Sequence, residues 1–179
     1  MKGYSVRPVP VVIAVALLCG LIAAWLYLDD RIGVISPDRL EADIRAAQHI
    51  DPGWTVEGSV SDHMAVFVSY PPDQSHDATL SLYCNRPGLS FGYFFAGGGC
   101  VLDTEDRIAQ YTVEGYPEQA FASSNRMHAA RMEINDGDGV QTVSIDSDKP
   151  FALLAPADRA VTFYDVDGNI VVTLCNTVI

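Results

Sequence analysis

The hydrophobic and polar positions of this chain divide it into three parts. From Pro8 to Leu28 no residue is charged and most are aliphatic. A short stretch with helical spacing follows, and from Trp54 onward apolar residues alternate with a period of two or form short runs between turn residues. We predict an N-terminal transmembrane anchor over 1–28, a linker with a short amphipathic helix over 29–53, and an extracytoplasmic β-rich domain over 54–179.

The uncharged segment is long enough to cross a membrane as one helix. Its 21 residues would reach roughly 31 Å at about 1.5 Å per residue, and a hydrocarbon core is about 30 Å thick. Aromatic side chains favour the interface, and Trp25 and Tyr27 lie near the end at which the chain leaves the membrane. The residues that we expect to anchor the chain in lipid include Val11, Leu17, Leu21 and Trp25.

The charges around this segment predict its orientation. Lys2 and Arg7 precede it and Asp29 and Asp30 follow it, so the positive-inside rule keeps the N-terminus in the cytoplasm. The expected location is the inner (cytoplasmic) membrane, with the C-terminal domain in the periplasm or outside the cell. Two alternatives stay open, a cleaved signal peptide and a lipoprotein modified at Cys19, and both leave the domain in the same compartment.

The linker carries the signals of one short helix. Ser36, Pro37 and Asp38 provide an N-cap hydroxyl, a proline in the first turn and an acid at the positive end of the helix dipole. An apolar stripe follows at helical spacing, and Asp51-Pro52-Gly53 ends it. We expect this helix to pack on the domain or on a neighbouring subunit.

The domain reads as mainly β, in the form of an antiparallel β-sandwich or a partly open barrel. Strand-length segments recur about every ten residues with turn residues between them. A further apolar run at 150–155 is interpreted as a helical turn. The predicted strands are Trp54–Val56, Met64–Tyr70, Ala78–Cys84, Leu89–Phe95, Arg107–Val113, Arg131–Ile134, Val140–Ile145, Ala160–Tyr164 and Ile170–Cys175.

The charge of the chain argues against nucleic-acid binding. Two of the 11 Lys and Arg residues lie before Pro8, whereas all 23 Asp and Glu residues follow Leu28, so the part after Leu28 has a net charge of −14. A field of this sign repels nucleic acids and anionic lipid headgroups. A solvated acidic surface explains it, and a basic protein partner or a cation would also be attracted to it.

The cysteines predict one disulfide in an oxidising compartment. Cys84, Cys100 and Cys175 lie after the anchor. We expect Cys84 to pair with Cys100, because the residues between them contain turn signals that could fold a hairpin back on itself. Cys175 would then be a buried thiol or the true partner of one of the others, since sequence alone does not rank the three pairings.

Three patterns carry possible chemistry. Gly88 to Gly92 matches G-x-S-x-G with Ser90 as a nucleophile, but a proline turn precedes it and aromatic residues follow it, where a strand and a helix are required. Asn135 to Gly139 and Asp165 to Asn169 place carboxylates together as calcium loops do, yet they also have the composition of tight hairpin turns. The four histidines show no metal-ligand spacing, so no catalytic residue, metal or cofactor is predicted.

The densest aromatic segment is the candidate contact site for a protein partner. Side chains on a strand alternate between two faces, so half of this segment would fill a core and half would be exposed. The candidate interaction residues are Phe91, Tyr93, Phe94 and Phe95.

The order of these features resembles the periplasmic VasI-type accessory proteins associated with type VI secretion. The resemblance covers 54–175, and the chain departs from that family in its uncleaved-looking anchor and in its ending, Asn176-Thr177-Val178-Ile179, without the usual glycine-containing close. It implies a non-catalytic accessory role and transfers no functional residue. The segments that carry it are Trp54, Leu80–Cys84, Tyr93, Tyr111–Gly115, Asp167–Gly168 and Cys175.

These patterns favour a single-pass membrane protein whose domain acts as an accessory or interaction subunit of a larger membrane assembly. The alternatives are an anchored extracytoplasmic hydrolase that uses Ser90 and a calcium-stabilised binding module.

Overall fold

The computed structural model describes residues 8–28, 33–73, 77–86, 91–100 and 107–178. A long helix, a short 3₁₀ turn (Pro37–Arg39) and a second helix precede eleven strands in this part of the chain. The helices are α1 (Pro8–Leu28) and α2 (Leu40–Ala47), and the strands are β1 (Thr55–Val60), β2 (Met64–Tyr70), β3 (Thr79–Cys84), β4 (Phe94–Cys100), β5 (Arg107–Val113), β6 (Glu118–Ser123), β7 (Ala129–Asn135), β8 (Val140–Ser144), β9 (Phe151–Pro156), β10 (Ala160–Asp165) and β11 (Ile170–Val178).

The strands form two sheets that pack as a sandwich. One sheet has four strands in the order β1-β2-β3-β4 and is antiparallel throughout. The other has seven strands in the order β8-β7-β10-β11-β5-β6-β9. Strands β1 and β2 lie against β6 and β9, which form one end of the larger sheet. The predicted mainly β, sandwich-like architecture is therefore confirmed.

The end of the larger sheet is buried on both faces, and its side chains differ between the faces. Ala120 and Ala122 of β6 lie in the core between the two sheets, where they meet larger side chains of β2 and β3 such as Val66 and Leu82. Phe121, between the two alanines, points into a second core on the other side. Small residues on one face let the sheets approach closely, and a large residue fills the space on the other.

The larger sheet curls around the second core. Phe121 on β6 and Phe163 on β10 are separated by two strands, which in a flat sheet would place them roughly 14 Å apart. Their ring centroids lie only 5.1 Å apart, and Phe151 of β9 stacks on Phe163 at 5.9 Å. Strand β11 makes the bend possible, because Ile170 and Val171 pair with β10 whereas residues 172–178 pair with β5.

The N-terminal segment is helical over the predicted range. Helix α1 runs from Pro8 to Leu28 without a charged residue, and every described side chain on it, from Val11 to Trp25, is exposed. Over the residues that can be described, no helix meets both the length and the hydropathy needed to cross a membrane.

The linker helix is shorter than predicted. It begins as the 3₁₀ turn after Ser36, which has an extended backbone but makes no capping hydrogen bond through its side chain. Helix α2 ends at Ala47, and Leu40 and Ile44 on its apolar side are completely buried. The helix packs on the outer face of the four-stranded sheet, where Ala65 and Tyr83 complete a third core. The predicted packing on the domain is therefore correct.

Four features of the sheets differ from the prediction. Strand β4 lies later than predicted, because the glycines at 97–99 belong to the strand and not to a turn. Strand β6 was not predicted, and the run taken for a helical turn is strand β9. The larger sheet is not wholly antiparallel, since β11 pairs with β5 in parallel.

The predicted disulfide between Cys84 and Cys100 is wrong. In the β3–β4 register Cys84 is paired with Phe94, whereas Cys100 is paired with Thr79 at the opposite end of the hairpin. Five residues of strand separate the two positions by roughly 17 Å, and bridged cysteines need Cα atoms within about 7 Å. Both thiols are free; Cys84 is completely buried in the core between the sheets, and Cys100 is exposed.

This arrangement predicts unequal reactivity of the two thiols. Burial raises the pKa of the Cys84 thiol from 9.0 to about 12, so Cys84 stays protonated and shielded from solvent in the folded protein at pH 8, whereas Cys100 is exposed to reagent. Iodoacetamide at pH 8 should modify Cys100 and leave Cys84 unmodified until urea is added, as peptide mapping would show. In the unfolded chain Cys84 loses its proton at a lower pH than in the folded protein. The contribution of Cys84 to the free energy of unfolding should therefore decline above pH 9. A peptide containing linked Cys84 and Cys100 would contradict this register.

Candidate interaction surface

The chain enters the domain at the beginning of the edge strand β4. Ile35 and Tyr93 form an antiparallel bridge, in which the Ile35 N–H donates to the Tyr93 carbonyl at 3.1 Å and the Tyr93 N–H donates to the Ile35 carbonyl at 2.8 Å. The Phe91 N–H donates to the Gly33 carbonyl at 3.1 Å. The segment 33–35 thus adds to the end of the four-stranded sheet. Sequence analysis missed this contact, although its small and β-branched residues could have indicated an extended segment.

Two glycines make this close approach possible. A Cβ atom on Gly33 would lie only 1.9 Å from the carbonyl oxygen of Gly92. Gly92 has φ of +156° and leaves no room for a side chain beside the Ile35 carbonyl, which would be 2.4 Å from its Cβ. The point at which the linker joins the domain is therefore set by backbone contact and allows little variation in position.

The aromatic segment is divided between core and solvent, but Phe91 and Tyr93, which strand alternation would place on one face, differ in burial. Tyr93 is buried and Phe94 is half-buried in the core between the sheets. Phe95 is partly exposed, and its ring packs edge-on against Tyr83 with centroids 5.5 Å apart. Phe91 has 83% of its surface exposed, the largest value among the exposed large hydrophobic residues of the described chain.

A polar network fixes Tyr93 in this position. The Tyr93 hydroxyl donates a hydrogen bond to the Ser61 carbonyl. The Ser61 hydroxyl contacts the Glu118 carboxylate and accepts the N–H of Met64 at 3.0 Å. Burial raises the pKa of Tyr93, and the nearby carboxylates of Asp62 and Glu118 raise it further. The network joins the β1–β2 turn to both sheets at the end of the sandwich where the linker enters.

Tyr83 holds helix α2 on the same sheet. Its hydroxyl donates to the Asp43 carboxylate at 2.7 Å, and its ring is completely buried beneath the helix. Burial and the Asp43 carboxylate both raise the pKa of Tyr83. At the far end of the helix, Arg45 donates to the carbonyl oxygens of Asp51 and Trp54, each at 3.2 Å. These contacts hold α2 and the turn after it against the four-stranded sheet.

The outer edge of β4 pairs with no other strand in the described ranges. Its neighbour on one side is β3, and the other side carries the backbone groups of residues 94–100. A Cβ on Gly98 would lie 2.6 Å from the Leu80 carbonyl, so this glycine is required by packing, whereas Gly97 has open space around it. The strand contains a β-bulge near Ala96 and no charged residue or proline. Such an edge can accept a further strand.

The two acidic loops are built as turns. The Asp165 carboxylate accepts the N–H of Asn169 at 2.8 Å and of Asp167 at 2.9 Å, and Gly168 has φ of +84°. Asp136 accepts the N–H of Gly139 at 2.7 Å in the same way. In the part of the chain with assigned structure, no group of three or more His, Cys, Asp and Glu residues is arranged to hold a metal ion.

The remaining candidate chemistry is not assembled in the described structure. Ser90, the predicted alternative nucleophile, lies outside the described residues. An open cleft of about 710 Å³ lies between the β5–β6 and β9–β10 turns and contains two carboxylates, those of Glu118 and Asp158. The Glu118 carboxylate is already bonded to Ser61, so in this structure it serves to connect the sheets.

Comparison with known proteins adds no identification. No protein-family model matches the chain, and neither the curated proteins nor the solved structures contain a match. The resemblance to VasI-type accessory proteins stays a prediction.

Proposed function

We propose that this protein is a single-pass membrane protein whose acidic β-sandwich acts outside the cytoplasm as a non-catalytic interaction subunit of a larger membrane assembly. One observation carries the proposal. All 15 residues of α1 whose exposure is described, residues 11–25, are exposed, although they are uncharged and mostly apolar. The apolar residues of the sandwich, in contrast, fill three cores.

The helix needs an apolar environment, and the described residues of the domain do not cover its residues 11–25. A helix that is apolar all round is stable when it is surrounded by protein or by lipid. The backbone of α1 is helical over 21 residues, a length of roughly 31 Å at about 1.5 Å per residue. The flanking charges, with Lys2 and Arg7 before the helix and Asp29 and Asp30 after it, support an orientation with the domain outside the cytoplasm.

The outer edge of β4 is the surface that we assign to a protein partner. The chain already adds its own segment 33–35 to this edge beside Tyr93, so the geometry of strand addition is present in the protein itself. The uncharged residues that continue the edge from Phe94 to Cys100 can form backbone hydrogen bonds with an extended segment of a partner. The net charge of −14 on the part of the chain after Leu28, from the Lys, Arg, Asp and Glu positions, favours a partner segment that is neutral or basic.

Membrane anchoring is tested by placing charge in α1. The double substitution Leu17→Arg/Leu21→Arg puts two cations on one face of the helix, and each should cost about 3 kcal/mol at the centre of a bilayer. We expect wild-type protein to remain in membranes washed with carbonate at pH 11 and the variant to be released. The matched control, Val140→Arg/Val166→Arg, charges two exposed positions of the domain and should remain bound. Release of wild-type protein by carbonate would contradict the anchor.

Partner binding is tested at the β4 edge. A Cβ atom added at Gly97 would have no other atom within 4 Å, so Gly97→Lys should fold normally. The lysine would place a charge where a partner strand would pair. Chemical cross-linking in membranes followed by mass spectrometry should show a partner for wild-type protein that is lost in this variant. Gly139→Lys is the matched control, because its Cβ would be 3.9 Å from the nearest atom. Equal cross-linking of both variants would show that the partner does not use this edge.

A further inference from the structure

The domain exposes two apolar side chains where the linker joins it. Phe91 is 83% exposed and Val34 is 67% exposed. The two lie close together, because the Phe91 N–H is bonded to the carbonyl of Gly33, the residue before Val34. We call Phe91 and Val34 the entry patch. Exposed aromatic side chains on an otherwise acidic domain indicate contact with an apolar environment.

The covalent chain keeps this patch close to the end of α1. The helix ends at Leu28, and among the described residues after it Gly33 is the first that contacts the domain. Five Cα–Cα steps of 3.8 Å limit the separation of Leu28 and Gly33 to at most about 19 Å, and any path that is not fully extended is shorter. Because Gly33 is fixed against Gly92, the domain cannot move its entry patch beyond this limit.

We infer that the entry patch lies against the surface of the bilayer that holds α1, with the Phe91 ring in the interface. The inference rests on the proposed membrane anchor. A lipid headgroup region extends roughly 6 Å beyond each side of the hydrocarbon core, so a phenylalanine ring near the end of the helix can reach it. The bilayer is favoured over a protein occupant because only the bilayer is kept within reach by the chain itself.

The contact is apolar and needs no basic residues. The carboxylates of Asp62 and Glu118 lie near Tyr93 at the same end of the sandwich, so this end is not attracted to anionic headgroups. Zwitterionic lipid is therefore the appropriate probe. The contact would hold the sandwich with its linker end toward the membrane, and would place the adjacent edge of β4 near the juxtamembrane segments of other proteins.

Fluorescence quenching in the full-length protein tests the inference. The protein is reconstituted in phosphatidylcholine vesicles with either plain or brominated acyl chains, and the emission of Phe91→Trp is compared with that of wild type, whose tryptophans are Trp25 and Trp54. The control is Val166→Trp, which is also an exposed position, with 61% of the Val166 surface accessible. Val166 lies in the turn before β11. Strand β11 runs from that turn toward the end of the sandwich where the linker enters, so Val166 lies at the opposite end.

The expected result is that the emission added at position 91 is quenched by brominated lipid and shifted to the blue, while the emission added at position 166 is unchanged. Quenching of wild-type emission through Trp25 together with no quenching at 91 would overturn the entry-patch inference and leave the anchor in place. No quenching of wild type at all would overturn the anchor and the inference with it. Equal quenching at 91 and 166 would also overturn the inference, since the contact would not be specific to the linker end.

Discussion

The structure depends on the requirement that apolar side chains leave water. Within the domain this requirement is met by strands β6 and β9, whose alternating side chains fill two cores: the alanines of β6 lie in one, and Phe121 and Phe151 lie in the other. The alanines of β6 allow the four-stranded sheet to pack closely against the larger sheet. The rings of Phe121 and Phe163 pack together across the curled sheet, with their centroids 5.1 Å apart. In α1 the same requirement is not met by any described contact, because all of its described side chains are exposed. The proposed function follows from this difference.

The edge of the four-stranded sheet is where the segment that follows α1 joins the domain. Gly33 and Gly92 bring the linker into backbone contact with this edge, and the Tyr93 hydroxyl connects the contact to the β1–β2 turn. From the Ser61 hydroxyl the network continues to Glu118 in the other sheet. The uncharged continuation of β4 lies beside this junction and is the surface proposed for a partner.

Local patterns predicted the elements better than they predicted the pairing. Strands β2 and β5 have the predicted bounds, because their apolar alternation and flanking turns are distinct. The sequence of β9 predicts a helical turn, because a strand buried on both faces loses its alternation. The alanines of β6 carry little strand propensity, and packing decides their conformation.

Long-range pairing also limits what the sequence predicts about the candidate interaction surface. Strand alternation predicts that part of the aromatic segment is exposed, but it would place Phe91 and Tyr93 on the same face. Phe91 is exposed and Tyr93 buried because Phe91 lies in a bend before β4 and not in the regular strand. The disulfide prediction failed because the register of β3 and β4 is set by the whole sheet, in which the glycines at 97–99 pair as strand residues. The contact between Gly33 and Gly92 joins segments almost sixty residues apart, and nothing in either segment identifies the other.

The most direct measurement of the central claim uses the native cysteines. Cys19 lies near the middle of α1 with its side chain exposed to whatever surrounds the helix, and Cys100 is exposed on the domain. The membrane that holds α1 is kept intact, and a membrane-impermeant maleimide is added on the side of the domain. The maleimide should label Cys100 and leave Cys19 unlabelled until the protein is denatured. Labelling of Cys19 at the rate of Cys100 would show that water surrounds the helix, and would contradict the account.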